Sequence, residues 1–366
     1  MRLSKLVKIV DELNLDAVLI TYEWNVFYYV SVPRPSGSFI LYEKGGTPKI
    51  LTPALDFWRL TDEVGESIEV IPYTTYELPG FPKLVKGKLS DWIIKYLSDS
   101  RYGRVGLDLS HSTPLAREVS ERLRNHASVE DISSQISMQR SIKEPEEIEL
   151  INQALRISES SFNKLLNEGV RELSEKEVAA KLDSYMRLSG ADGVAFETIV
   201  ASGPNSAYPH AYPTNKKVSR DDVVVFDFGA RFMNYCSDTT RTLVPGANEE
   251  AKKALEAVGD ALNVATDTIR EGVKSSEPDS AAREVLRRHG LENYFIHSLG
   301  HGVGLEIHER PRLAQGIEDT LVEGMVVTVE PGIYIHNRFG IRLENLVVVR
   351  KSKAEVLNRL PLIISV

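Results

Sequence analysis

Two aspartates interrupt apolar, β-prone sequence at a spacing that brings them together. Val223-Val224-Val225-Phe226-Asp227-Phe228-Gly229 is a strand pattern broken by one acid, and period-two alternation puts Asp227 on the face of Val223 and Val225. Eleven residues on, Asp238 lies in Tyr235-Cys236-Ser237-Asp238-Thr239-Thr240-Arg241-Thr242, so the spacing predicts adjacent strands across a turn at Arg231 to Asn234. Two carboxylates meeting in apolar surroundings repel unless a cation lies between them. The structural alternative has Asp227 capping a strand end and Asp238 paired with Arg241.

Five of the eight histidines fall between His289 and His336, and Ile296-His297-Ser298-Leu299-Gly300-His301-Gly302-Val303-Gly304-Leu305-Glu306-Ile307-His308-Glu309 holds three of them. The glycine period is wrong for a dinucleotide fingerprint, and His308-Glu309 is followed by Arg310-Pro311-Arg312 rather than by the rest of a helical zinc motif. One imidazole would serve as a structural hydrogen-bonding group; three are too many for that account alone. Two more acids follow. Gly324 to Val329 is a buried-strand pattern ending in Glu330 before Pro331-Gly332, and Gly340 to Val349 reads as a strand with Arg342 and Glu344 on one face. Arg241 and Arg342 cannot neutralise four acids, so a metal site is the economical account. Oxygen-rich ligation with one imidazole favours hard divalent ions such as manganese or cobalt.

These side chains span more than a hundred positions, so the elements must gather them. From Pro145 a long helix runs to Asn167, a second opens at Ser174-Glu175-Lys176-Glu177 in capping-box spacing, and strand-rich sequence follows. The order then recurs: a helix from Glu249 to Glu271, a shorter one from Pro278 to His289 stopped by Gly290, and strands until Val349. Two such halves packed face to face create a crevice. Upstream, residues 1–132 alternate helical and strand patterns as an α/β domain: helices at Leu3–Leu13, Leu89–Leu97 and Pro114–Arg124, strands at Ala17–Thr21, Phe39–Tyr42, Lys49–Thr52, Ile68–Pro72, Arg104–Leu109 and Val129–Ile132. Residues 133–142 read as a linker helix, and 143–366 as the second domain.

Composition excludes several classes of function. With 366 residues and 42% apolar side chains the chain is long enough for two cores. A net charge of -8 argues against a nucleic-acid ligand. No apolar run is long enough to span a bilayer, and Met1 to Val10 has no signal-peptide pattern, so a cytoplasmic protein is expected. The single Cys236 excludes an internal disulfide and a thiolate cage.

The series Asp227, Asp238, His301, Glu330 and Glu344, with its surrounding motifs, resembles the metallopeptidase family of proline dipeptidase, Xaa-Pro aminopeptidase, methionine aminopeptidase and creatinase. That resemblance spans the second domain and implies an α+β pita-bread fold with pseudo-twofold duplicated helix-helix-sheet halves, preceded by a creatinase-like α/β domain used for dimerisation and access. Methionine aminopeptidases generally lack such a domain, and creatinases lack the metal set. The resemblance therefore implies dinuclear-metal hydrolysis of Xaa-Pro bonds by a hydroxide held between the ions, with a prolidase (Xaa-Pro dipeptidase) activity ahead of an Xaa-Pro aminopeptidase acting on longer peptides. A silent peptide-binding module is the reading from another class; such modules usually lose ligands.

By the same resemblance, Asp227 holds one ion, His301 and Glu330 the other, and Asp238 and Glu344 bridge them. Manganese or cobalt is implied, with zinc or iron as alternatives. Glu330 also carries a proton to the leaving nitrogen. His210, in Tyr208-Pro209-His210-Ala211-Tyr212-Pro213, and His297 and His308 match family histidines near substrate or intermediate. Arg342 matches an arginine beside the last ligand, whose alternative role is to orient a carboxylate; Arg312 matches one proposed to hold a dipeptide's carboxylate, or is a rim charge. Ala211, Asn215 and Asn345 depart from common family residues, which bears on substrate preference. The implied partner is a small peptide with proline in second position, acted on by a homodimer without nucleic acid or membrane.

Overall fold

The structure, a computed structural model, describes residues 2–32, 36–111 and 113–364. The chain divides into two compact units, Met1–Arg140 and Ser141–Val366. Among the described residues the first unit is built on a seven-stranded sheet. In chain order the strands are Ala17–Ile20, Phe39–Glu43, Lys49–Pro53, Glu69–Thr74, Val85–Lys86, Arg104–Leu107 and Ser128–Asp131, arranged 5-4-3-2-1-6-7. The two antiparallel pairings are those of the second strand with the first and third; the rest are parallel.

Helices that periodicity does not announce complete this unit. Glu23–Val30 (EWNVFYYV) carries aromatic and β-branched residues of strand-like composition, yet it is helical because six of its eight side chains are buried. Its entry is held by Asp108, which accepts from Thr21 N (2.8 Å), Thr21 Oγ1 (3.0 Å), Tyr22 N (3.0 Å) and Asn25 Nδ2 (3.1 Å). Phe57–Val64 is likewise a helix, with Phe57, Leu60 and Val64 inward. The segment expected as a linker helix, by contrast, does form one, over Ser133–Ser141.

The second unit shows the duplicated order. Its long helix, Pro145–Glu168, starts with proline in the first turn and a reciprocal cap between Glu144 and Glu147. Glu175–Leu188 follows, capped by Ser174 and Glu177, and its apolar side packs with Phe162, Leu165, Val200, Phe226 and Phe228 in one core. The strands over that core are Ile199–Ser202, Val224–Phe228 and Thr239–Leu243, with Gly193–Val194, Ala230–Phe232 and Tyr235–Cys236 in a companion sheet. The second pair of helices, Glu249–Thr268 and Ser276–Arg288, lies on a separate core with Val327, Val329, Ile341, Leu343 and Val347. Its strands are Glu309–Leu313, Gly300–Gly302, Val326–Val329, Asn345–Val348 and Glu355–Val356 in one sheet and Gly332–Ile335 with Phe339–Arg342 in another.

Two breaks depart from the strand patterns. The hairpin expected to turn at Arg231 to Asn234 turns tightly at Met233 and Asn234, both at positive φ, and is kinked midway. At the kink Gly229 abuts Ser237: a Cβ there would lie 1.9 Å from the Ser237 carbonyl oxygen, so no larger residue fits. The run Gly340–Val349 is two strands, not one. It breaks at Leu343-Glu344, where the chain passes from the two-stranded sheet to the five-stranded one.

Candidate metal centre

Both breaks deliver an acid. Asp227 stands directly opposite Thr240 in the antiparallel pair, and Asp238, two residues before Thr240, sits in the gap between two strands. Glu344 occupies the other gap, with its N–H on the Thr240 carbonyl (3.1 Å) and its Oε2 accepting from Thr240 Oγ1 (2.8 Å). Strand ends free a carboxylate from the pleat, which is how acids from different sheets converge. Glu330 ends the strand Val326–Val329, its N–H on Leu299 O (2.8 Å) and Thr328 Oγ1 donating to its Oε1 (3.1 Å). His301 is the middle residue of Gly300–Gly302. Close backbone contact places it there, since a Cβ on Gly300 would come within 2.1 Å of the Thr328 carbonyl oxygen.

The five groups meet. One ligand atom each from Asp238, His301 and Glu344 lies within 4.8 Å of the others, and His301 Nε2 is 3.2 Å from Glu330 Oε1 and 3.7 Å from Asp238 Oδ2. Asp227 adds its charge to this group, raising the pKa of both Asp238 and Glu344. His301 Nδ1 lies 3.1 Å from the Gly302 carbonyl, which can only accept, so Nδ1 donates there and Nε2 is the nitrogen turned towards the acids, where it donates to Glu330 Oε1.

Electrostatics show how costly the bare arrangement is. Burial, then repulsion from neighbouring acids, pushes Asp238 and Glu344 well above the usual carboxylate range. Asp227 is raised by burial despite the Arg342 guanidinium. Burial would also raise Glu330, but the hydrogen bond and charge of His301 outweigh it and hold the acid at about 2. Burial opposes the charge on His301, yet the hydrogen bond it donates to Glu330 raises its pKa. Asp227 Oδ1 and Glu344 Oε1 are buried without a hydrogen-bond partner. Orphaned carboxyl oxygens, four clustered acids and an imidazole whose Nε2 is turned inward fit hard divalent cations.

The pairing of Asp238 with Arg241 is not what forms. Arg241 is fully buried and donates to the carbonyls of Thr240, Glu344, Leu360 and Pro361 and to Asn345 Oδ1. It stitches strands together and leaves Asp238 alone. Arg342 is the arginine that meets an acid: Nη2 donates to Asp227 Oδ2 at 2.6 Å, Nη1 to Tyr334 Oη at 2.7 Å and to Pro209 O at 3.1 Å, and Nε to Thr240 Oγ1 at 3.1 Å. Cys236 is buried with Sγ 3.7 Å from Leu305 O. Truncating Arg342 to alanine in the metal-free protein should lower its stability by about 3–5 kcal/mol, because a buried carboxylate loses its partner. A shift in the urea midpoint measures this; an unchanged midpoint would show that Asp227 does not depend on Arg342.

Tyr334 is a site residue that sequence reasoning left unassigned. Its hydroxyl is 3.0 Å from His297 Nε2, while His297 Nδ1 is 2.8 Å from the Ser298 carbonyl. The carbonyl fixes the proton on Nδ1, so Tyr334 donates to Nε2 and accepts from Arg342. A directed chain thus runs from His297 through Tyr334 and Arg342 to Asp227. Its only sequence signal was a tyrosine two residues past Gly332 in a strand after Glu330-Pro331. Burial lowers the pKa of His297, keeping it neutral. The His308 ring stands 4.3 Å from that of His301, edge to face, with its pKa lowered by burial and by the charges of His301 and His210. His210, His308 and Arg312 are exposed; His210 is near enough for its charge to act on His308, and Arg312 lies opposite His301 in the strand pair.

Comparison with known proteins bears on this arrangement. Residues 149–351 match metallopeptidase family M24, and residues 2–142 match the creatinase/prolidase N-terminal domain. Proteins named Xaa-Pro dipeptidase from Pyrococcus furiosus and Pyrococcus horikoshii are 36% and 34% identical to it, each alignment covering 98% of this chain and 97% of the relative. The X-Pro aminopeptidase structure from Thermotoga maritima superposes with a TM-score of 0.84 at 35% identity, covering 96% of this chain and 98% of that one. The prolidase structure from Pyrococcus furiosus gives 0.84 at 35%, covering 97% and 99%. The duplicated helix-helix-sheet unit is therefore a pita-bread fold following a creatinase-type α/β domain. Family match and full-length similarity agree on a divalent-metal hydrolase, and the chain belongs to metallopeptidase family M24.

Proposed function

We propose that this protein is an Xaa-Pro dipeptidase using two divalent ions, manganese or cobalt, held by Asp227, Asp238, His301, Glu330 and Glu344. The observation that carries the reading is the convergence of four carboxylates on one oriented imidazole with two buried acid oxygens left without partners. Asp238 and Glu344 would be ligands shared between the ions, with Asp227 on one and His301 and Glu330 on the other. When bound, such a pair of ions supplies a water acidic enough to ionise near neutral pH and positive charge for the carbonyl oxygen of the scissile bond.

The chain's own residues do the rest. Glu330, whose Oε1 lies 3.2 Å from His301 Nε2 in the cluster, is the carboxylate that would receive a proton and pass it to the leaving nitrogen. That nitrogen is the prolyl one, which has no hydrogen in the Xaa-Pro bond and must gain one to leave as an amine. His297 is held neutral and oriented by the Ser298 carbonyl and Tyr334, so it meets the substrate with a fixed polarity. The exposed His308, beside the His301 ring, and the exposed His210 are the imidazoles that would meet the substrate, and the exposed Arg312, opposite His301 in the strand pair, offers a cation for a dipeptide's free carboxylate. The same reading makes the working form a cytoplasmic homodimer.

Support for the substrate comes from the two Pyrococcus relatives named Xaa-Pro dipeptidase. The Thermotoga structure named X-Pro aminopeptidase, equally similar, favours longer peptides as the second reading. Kinetics on an Xaa-Pro dipeptide beside the matching Xaa-Pro-Zaa tripeptide, with metal restored, separate them. The expected result is at least about tenfold higher kcat/KM for the dipeptide, equivalent to one well-formed carboxylate contact of roughly 1.4 kcal/mol. Preference for the tripeptide would reverse the assignment.

A further inference from the structure

Glu175 is fully buried at the start of the helix Glu175–Leu188, and helix capping does not account for it. The cap is already made by its neighbours: Ser174 Oγ accepts from the Glu177 N–H and Glu177 Oε2 accepts from the Ser174 N–H. The carboxylate of Glu175 turns instead to the segment that carries His210. Its Oε1 accepts from Ser202 N (2.6 Å) and Ser202 Oγ (2.8 Å); its Oε2 accepts from Thr214 N (2.8 Å), Thr214 Oγ1 (2.6 Å) and Asn205 Nδ2 (2.9 Å). Ser202 ends the strand before the segment and Thr214 lies just beyond it. One buried anion therefore ties both ends of residues 203–213, as a staple would.

The crest of that segment is held from the other side. The Pro209 carbonyl accepts from Arg342, and the Gly340 N–H donates to Ser206 Oγ at 2.9 Å. His210 itself is exposed and borrows its position from this frame. We infer that Glu175 is a positioning residue for catalysis, fixing both ends of the His210 segment so that the imidazole faces the metal centre. This rests on the reading of His210 as a group that meets the substrate.

Glu175→Gln is the informative change because it keeps the shape. Two of the five donors are backbone N–H groups that cannot reverse, and they sit on opposite oxygens. A glutamine has one acceptor end, so in either orientation its NH2 opposes a backbone N–H and one end of the segment is released. The experiment uses the full-length, metal-loaded protein: kinetics on an Xaa-Pro dipeptide for wild type, E175Q, H210A and the double variant, with manganese uptake followed by calorimetry. E175Q is expected to lower kcat/KM by about tenfold to a hundredfold, as misplacing a reacting group does, with manganese uptake unchanged. The double variant is expected to be no slower than H210A alone, since a residue acting through another adds nothing once that other is gone.

Multiplied losses in the double variant, or full activity in E175Q, would overturn the inference. H210A turning over like wild type would remove the reading of His210 and the inference with it. If E175Q does not fold, Asn205→Ala and Thr214→Val each delete one donor to Oε2. They are expected to give smaller losses that vanish in the H210A background, and persistence of those losses there would overturn the inference equally.

Discussion

Asp238→Asn should abolish peptidase turnover, by a factor on the order of 10³ or more, while making the metal-free protein more stable. Asparagine keeps the shape but removes one of the anions on which the ions depend, and the charge stabilisation that a metal supplies is worth several kcal/mol, about 1.4 of them per tenfold in rate. The stability gain has a separate cause. Asp238 is buried, and burial followed by repulsion from Glu344, Asp227 and Glu330 penalises its ionised form. Without metal that charge is a burden, so the neutral amide relieves it. Circular dichroism melts of both proteins after chelation, beside an activity assay, check the two effects together. Retained turnover would refute the ligand role, and a lowered metal-free melting temperature would refute the electrostatic account.

The second large effect is the divergence of stability with pH between metal-free and loaded protein. Asp238 and Glu344 bind protons more tightly folded than unfolded, where they have ordinary values near 3.8 and 4.5. Their contribution is therefore complete below those values and is lost as pH rises through the raised ones. His301 acts in the same direction, its contribution present below its ordinary 6.5 and lost as pH rises through its raised value. Glu330 acts oppositely: folded at about 2 against 4.5, its contribution is present above 4.5 and lost as pH falls towards 2. Above about pH 4.5 the first three dominate, and the metal-free protein weakens as pH rises. Bound cations reverse this, since they need the ligands deprotonated. At a hundred times the dissociation constant each ion adds about 2.7 kcal/mol, or about 5–10 °C in a domain of this size. Thermal melts from pH 5 to pH 8 with and without manganese should diverge; parallel curves would contradict the clustering of acids.

Sequence alone carried the chemistry further than the folding details. Asp227, Asp238, His301, Glu330 and Glu344 were visible because acids and histidines inside apolar strand patterns are costly and so conspicuous. The route to their expected convergence was not, because it depends on strands breaking at Asp238 and at Leu343-Glu344, and period-two alternation reads through such breaks. Capping-box spacing announced the helix at Glu175, yet nothing in Ser174-Glu175-Lys176-Glu177 distinguishes the acid that caps from the one that holds a distant segment. Glu23–Val30 was hidden for a different reason: tertiary burial makes a helix of residues whose local preference is strand. Tyr334 was hidden because its role lies in its partners, Arg342 and His297, which meet only in three dimensions.

The most direct test is metal stoichiometry. Protein stripped with chelator and titrated with Mn²⁺ or Co²⁺ in a calorimeter, with Xaa-Pro dipeptide hydrolysis assayed at each step, should take up two ions per chain and regain activity only as they bind. No uptake at saturating metal, or full activity in the stripped protein, would contradict the assignment of Asp227, Asp238, His301, Glu330 and Glu344 as its ligands.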